Sequence, residues 1–443
     1  LPFNKNFESN ETTPPPTAFS IRRLFHQLVM RILIFKVLLA GSLVLAAPVA
    51  QAQWWKDADA GEKVRSQGLL LKNMEVQHDA TVAVNAMYNY NFAEADKEFR
   101  WLQTKYPEHP LPYFLFGLAE WWKIVPNSDN AMFDEKCLDY MDKAIEKAEA
   151  LYDEDDQNVE AAFFLAAAHA FKGRLYAERK KWTKAAFAGK SSLKYLEKSK
   201  NHQDFSPELL FGDGLYNYYV EWIPANYPAL KPFLWFFSKG NKAEGIRQLE
   251  SVSNNAFYTR TEAQYFLLQI YSMENQHEKA YQLARYLHNA YPNNPFFHRY
   301  YARTAFVTGR VNEAETESRN ILQRIDAKHF GYEPISGRYA SFILAYYNQF
   351  FYKNFGVAKE NYRRAIAFAE QTGAKNSGYH VSSWLNLGKI ADAEGNLDEA
   401  KQYFENVVEF ADKKSSQREE AKKLLDENRK KQKAARKQQR KAK

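Results

Sequence analysis

Cysteine is almost missing from these 443 residues: Cys137 stands alone. A single cysteine excludes an intrachain disulfide, and without a CxxC or a Cys/His cluster there is no zinc pattern. Cys137 reads as a small buried side chain on a helix. The sequence also has no HExxH, no GxSxG, no Walker loop, no glycine-rich dinucleotide turn and no carboxylate pair in a distinctive setting. No catalytic residue, metal ligand or cofactor is therefore expected, and the chain is read as a non-enzyme. Asp153-Glu154-Asp155-Asp156 has neither the spaced ligand oxygens nor the central glycine of a calcium loop. It reads as a solvated loop running into Asn158, a helix cap. His169 has no histidine or carboxylate three or four residues away, so a satisfied buried histidine is expected there. Long apolar runs are absent too. Val37–Val49 is too short for a permanent membrane helix, and so is the aromatic knot at 233–237.

Aromatic residues, by contrast, are plentiful at 16% of the chain, which suits a protein burying many helix–helix contacts. The net charge of +8 is unevenly spread. Residues 413–443 hold 14 Lys/Arg against 4 Asp/Glu, leaving the rest of the chain close to neutral. From Met30 the chain reads MRILIFKVLLAGSLVLAAPVAQAQ. Arg31 and Lys36 are followed by the apolar run and then by Ala50-Gln51-Ala52, the three-part layout of a secretory signal peptide cleaved before Gln53. Arg22-Arg23 lies too far upstream of the run for a twin-arginine signal. Residues 1–29 are read as an unstructured upstream extension, 30–52 as the signal peptide and 53–75 as a lead-in. An exported, periplasmic protein is expected, with peripheral outer-membrane association as a variant of that reading.

The body carries a period. Ala280 and Ala314 are 34 residues apart, each opening the second helix of a hairpin. Near the end, Trp384, Leu387 and Gly388 precede Ala400 and Phe404 at matching offsets; earlier, Ala83, Ala95 and Phe99 take the small, small and aromatic places. Small residues let two helices of a hairpin approach closely, and an aromatic one turn later wedges against the next hairpin. Ala302 belongs to the same packing set. The middle is less regular. Gly212-Asp213-Gly214 follows no strand and lies within a helical pattern, so it is a close-packing site and not a phosphate loop. Pro224, Pro228 and Pro232 then break the chain. The insertion at 223–238, with Tyr218, Trp222, Phe233, Trp235 and Phe236, reads either as an element packed on the stack or as an aromatic-lined pocket.

These motifs resemble the tetratricopeptide repeat family over roughly 76–411. The resemblance implies an all-α, right-handed superhelical solenoid of about eight antiparallel helix pairs. Residues 412–443 would then form a basic capping helix and tail. It also implies a concave face lined by first helices that holds a peptide or extended protein segment. By position that face would use Tyr265, Gln269, Arg299, Arg303, Asn386 and Lys389. Arg303 and Lys389, equivalent in their repeats, would make a cationic strip suited to carboxylates. A second likeness rests on Gly212, Gly214, Asn217, Pro224 and Gly240-Asn241-Lys242-x-x-Gly245. These look like the hallmark of a eukaryotic tetratricopeptide family linked to inclusion-body clearance and lipid metabolism, from which only shape is carried over.

The function expected is a non-catalytic scaffold of the cell envelope that binds a protein or peptide. The alternative is attachment to an envelope surface through 413–443, on anionic lipid, lipopolysaccharide or an acidic polymer. Nucleic acid is not expected: the signal argues against it, and the tail lacks interleaved aromatics for stacking on bases.

Overall fold

The computed structural model describes residues 69–199, 206–226, 228 and 239–442, and every regular element among them is helical. The leader over 30–52 and the aromatics Phe233, Trp235 and Phe236 lie outside the described residues. Seventeen α-helices are described: α1 (Met74–Tyr88), α2 (Phe92–Lys105), α3 (Pro110–Ile124), α4 (Asp134–Glu154), α5 (Val159–Glu178), α6 (Trp182–Ser199), α7 (Leu210–Asn226), α8 (Lys242–Asn255), α9 (Arg260–Met273), α10 (His277–Ala290), α11 (Pro295–Val307), α12 (Val311–Asp326), α13 (Pro334–Phe350), α14 (Phe355–Gln371), α15 (Gly378–Ala393), α16 (Leu397–Phe410) and α17 (Ser416–Ala442). The first sixteen pair in chain order as eight consecutive hairpins, and α17 closes on α16.

Six of the eight hairpins use one turn. A residue in the left-handed region ends the first helix: Tyr90, Lys180, Asn275, Gly309, Lys353 and Gly395, with φ between 53° and 79°. In five of these turns the next amide donates back five residues, as from Asn91 to the Ala86 carbonyl and from Asn396 to the Ala391 carbonyl, both at 2.9 Å. That bond satisfies carbonyls which the helix end would leave open. Five residues past the left-handed position stands an alanine every time: Ala95, Ala185, Ala280, Ala314, Ala358 and Ala400, all buried. The remaining hairpins, α3–α4 and α7–α8, carry the longer connections. Helix starts are fixed by side chains accepting from the first free amides. Asn73, Asn158, Asn241, Asn354 and Ser377 do so.

The chain divides into two compact units, and the division falls inside α11. The first takes the described residues up to Tyr301, together with His329–Glu333. Here the start of α11 and the segment at 329–333 come back to the first hairpin. Asn294 donates to the Tyr88 carbonyl at 2.9 Å, the Asn293 amide to the Asn89 side chain at 3.0 Å, and the Tyr90 and Phe92 rings pack on Phe330. Between α7 and α8 the approach is backbone to backbone: a Cβ added at Gly245 would lie 2.6 Å from the Tyr218 amide and 2.7 Å from the Gly214 carbonyl. This is the close-packing role expected of Gly212-Asp213-Gly214.

The second unit comprises Ala302–Lys328 and Pro334 onward. Its terminal core packs Val381, Leu385, Ala400, Phe404 and Val407 against Ala421 and Leu425 of α17. The expected capping helix is present and stays helical to Ala442. Asn428 helps anchor it, donating to the Leu397 carbonyl at 2.9 Å.

Two alanine substitutions of helical glycines should move stability in opposite directions. Gly245→Ala should destabilise by about 1–3 kcal/mol, because the contacts are backbone and cannot yield. Gly189 has nothing within 4 Å of an added Cβ. Gly189→Ala should therefore stabilise by up to about 1 kcal/mol through helix propensity. Urea midpoints of the two variants, read against the unsubstituted chain, check both signs.

Candidate functional site

In the first unit, α3, α5 and α9 place one cation among aromatic rings. The Arg174 guanidinium lies 4.5 Å from the Trp121 ring centroid, 5.4 Å from Phe266 and 5.5 Å from Tyr265. One of its terminal nitrogens donates to the Tyr265 hydroxyl at 2.8 Å. The ring wall continues through Phe171 on Trp121, and through Phe211 and Tyr219 on Phe266. Arg174, Phe171, Phe211 and Phe266 are half-buried, so part of the cradle keeps contact with solvent. Two donors in it make no hydrogen bond: Arg174 Nε and the indole N–H of Trp121, a residue only 2% exposed. Guanidinium on aromatic faces is favourable, and such a cation still has donors for a carboxylate.

Behind the cradle lies a buried acid. Glu262 of α9 accepts from the Trp122 indole at 2.6 Å and the Tyr88 hydroxyl at 3.2 Å. Burial raises its carboxyl to about 6, although both hydrogen bonds and the Arg174 charge pull the other way. Its second carboxylate oxygen has no partner. A second buried acid, Glu208, is fully used: it accepts from the amides of Phe257, Tyr258 and Thr259 and so closes the start of α9.

Of the residues expected on a concave face, Tyr265 is in the cradle and buried, its ring packed among Trp122, Phe266 and Phe296 and its hydroxyl accepting from Arg174. Gln269 is buried and donates to the Tyr265 carbonyl. Arg299 is buried over the Phe296 ring and donates to the Pro126 carbonyl. Because the start of α11 meets the first hairpin, first-helix side chains of this unit largely pack on one another. In the second unit Arg303 lies 4.4 Å over the Tyr339 ring, Asn386 is buried, and Lys389 pairs with Glu420 of α17 at 2.7 Å. Tyr218 and Trp222 are buried, with the Tyr218 hydroxyl donating to Glu274 at 2.7 Å. The packing set Ala83, Ala95, Phe99, Ala280, Ala302, Ala314, Gly388, Ala400 and Phe404 is buried throughout. Cys137 is buried against the Gly117 carbonyl, and burial pushes its thiol up to about 12.

His169 differs from its expected burial. It is half-buried and stacks flat on Tyr195, because its helix face borders α6 and not the centre of the stack. Trp121, Arg174, Phe266 and Glu262 were not singled out by sequence. They lie on three different hairpins, and only Arg174, which with Lys172 is one of two Lys/Arg residues on the largely apolar α5, carried a signal.

No protein-family profile matches the chain, and no curated protein matches it. Twenty-two chains of solved structures do match. Among them is the crystal structure of the yeast Tom70, at 15% identity and a TM-score of 0.32, covering 72% of this chain. The match takes in 64% of that chain, under two thirds of its length. The fold rests on the hairpins themselves. Their recurring turn, the alanine five residues on and the capping helix define an all-helical, tetratricopeptide-like repeat protein.

Two buried groups give the units opposite acid responses. Glu262 titrates higher folded than unfolded, so its charged form weakens the first unit. The penalty is absent below the unfolded value near 4.5, grows as pH rises through about 6, and reaches about 2 kcal/mol above it. His380 in the second unit titrates lower folded, at about 4, chiefly through burial and then the Arg338 charge. Its contribution is full above about 6.5 and is lost as pH falls toward 4. Glu262→Gln should abolish the first response and leave the second, read from hydrogen exchange of each unit between pH 4 and 7.

Proposed function

We propose that this protein is a non-catalytic scaffold of the cell envelope, exported to the periplasm, which binds an extended protein or peptide segment. The observation that carries the reading is the half-open cradle of Arg174. A guanidinium over three rings, beside an indole donor without an acceptor, suits a carboxylate flanked by apolar side chains. The rigid helical frame supports recognition, since the walls come from three hairpins and need no ordering when the ligand arrives. The layout of residues 30–52 supports the export reading.

Arg174→Ala should weaken binding of an acidic peptide segment by roughly ten- to a hundred-fold, the loss of one charge-assisted contact. Arg174→Lys should restore only part of it, because an ammonium cannot lie flat on the rings. Photo-crosslinking from position 211 in intact cells, with and without Arg174→Ala, tests this. Crosslinks that persist in the alanine variant overturn the cradle as the ligand site. Recovery of the chain in the cytosol with residues 30–52 attached overturns the export reading.

A further inference from the structure

The connection between α13 and α14 is unlike the other short turns of the second unit. Where those read Thr308-Gly309-Arg310 and Glu394-Gly395-Asn396, this one reads Phe350-Phe351-Tyr352-Lys353-Asn354-Phe355. Its four rings are 40%, 58%, 51% and 42% exposed. The turn is firmly built. Phe351 and Tyr352 both donate to the Tyr347 carbonyl, Asn354 donates to the Asn348 carbonyl at 2.8 Å, and the Asn354 side chain caps α14. Phe350 packs tilted against Tyr346, and Phe351 meets Tyr347 edge to face. That last backbone bond reaches six residues back where the equivalent turns reach five. The turn is thus one residue wider than its equivalents, and its rings stand exposed.

The same edge carries the basic end of α17. Asn428 and Gln432 donate to the Leu397 carbonyl, and Lys431 pairs with Asp392, which pins this part of α17 at the turn between α15 and α16. Lys359, one turn past Phe355, reaches Glu394 at that same turn. The aromatic turn and the root of the basic extension are thus neighbours. Beyond Gln432 the helix runs to Ala442, about 15 Å at 1.5 Å per residue. That stretch exposes Lys433, Arg436 and Lys437 and contains no acid. Four acids along the edge are paired: Glu315 with Arg319 and Tyr352, Glu394 with Lys359, Asp392 with Lys431 and Glu399 with Arg363, while Asp398 accepts from the Gln432 side chain.

We propose that this edge docks on an anionic lipid bilayer, the rings of 350–355 entering the headgroup region and the end of α17 lying on the charged surface. The rings crown a projecting turn, a shape suited to a soft planar partner. Aromatic side chains favour the membrane interface, and adjacent cations supply the second signal that stable peripheral binding needs. No described helix is long and apolar enough to cross a membrane, so the contact is peripheral. The inference does not depend on the Arg174 cradle.

The test uses the full chain with Gly356→Cys, an exposed position beside Phe355, labelled with a polarity-sensitive dye; Cys137 is buried and stays unlabelled. With vesicles of phosphatidylcholine containing phosphatidylglycerol, the dye should shift to the blue and be quenched by brominated lipid. Pure phosphatidylcholine should give neither effect, and about 0.5 M salt should reverse both. Phe350→Ser/Phe351→Ser/Phe355→Ser should lower partitioning at least ten-fold with an unchanged thermal melt. Lys433→Gln/Arg436→Gln/Lys437→Gln should lower it about a hundred-fold, at roughly five-fold per cation. Sedimentation with vesicles without a dye shift would overturn the proposal, since another segment would then be the anchor. So would an equal shift on neutral vesicles, or an equal shift with soluble polyphosphate.

Discussion

One buried carboxylate sets the terms for the first unit. Glu262 comes from the fifth hairpin and takes its hydrogen bonds from Tyr88 of the first and Trp122 of the second. Arg174 of the third supplies the compensating field. Taking a carboxylate out of water is costly unless its donors are in place, and leaving a buried polar group without its partner costs about 1–3 kcal/mol, more when the group is charged. The hairpins therefore have few acceptable arrangements: the rings that fill the interior could slide past one another, but the donors of Tyr88 and Trp122 have to meet one oxygen. The Arg174 cradle is a consequence. With Glu262 held in place, Tyr265 and Phe266 one turn later face the guanidinium on α5.

The second unit is ordered by a different constraint, the alternation of small and large side chains. Gly388 leaves room for the Phe404 ring, which a Cβ there would approach to 2.4 Å. Ala400 is buried in the same core. Such a stack has no natural end, since its last hairpin would expose the face meant for a successor. The first part of α17 covers that face with Ala421 and Leu425 while turning Lys422, Lys423 and Glu427 to solvent. Past Leu425 it carries no apolar side chain larger than alanine. The exposed helical stretch after Gln432 is more than a cap requires.

Much of the fold could be read from residue identity because the strongest steric demand falls on residues with a recognisable type. Only a small side chain fits where two helices touch, so Ala95, Ala280, Ala314 and Ala400 stand out at their spacing. The turns beside them were not readable. The left-handed residue is glycine in two of six cases and otherwise Tyr90, Lys180, Asn275 and Lys353. A left-handed non-glycine residue costs about 1–2 kcal/mol. The two carbonyl-satisfying bonds that the turn makes offset it, so geometry selects the conformation and leaves the side chain free. The cradle was illegible for a related reason. Trp121, Arg174 and Phe266 are ordinary residues on three hairpins, brought together by long-range closure that no spacing encodes.

That freedom bears on how the second unit acquired an aromatic edge. If the turn tolerates any side chain at its left-handed position, its flanking residues are also unconstrained by the fold, and burial cannot account for what stands there. Phe350, Phe351, Tyr352 and Phe355 contribute little to the core yet expose apolar surface, which soluble monomers rarely gather in one place. Their ring–ring contacts with Tyr346 and Tyr347 hold them outward, where a flexible turn would let them fold back and cover themselves. A display of rings beside a helix end with cations and no acids is complementary to a surface that is apolar and negatively charged. On the proposed docking, a bilayer with anionic headgroups would meet both features at one depth.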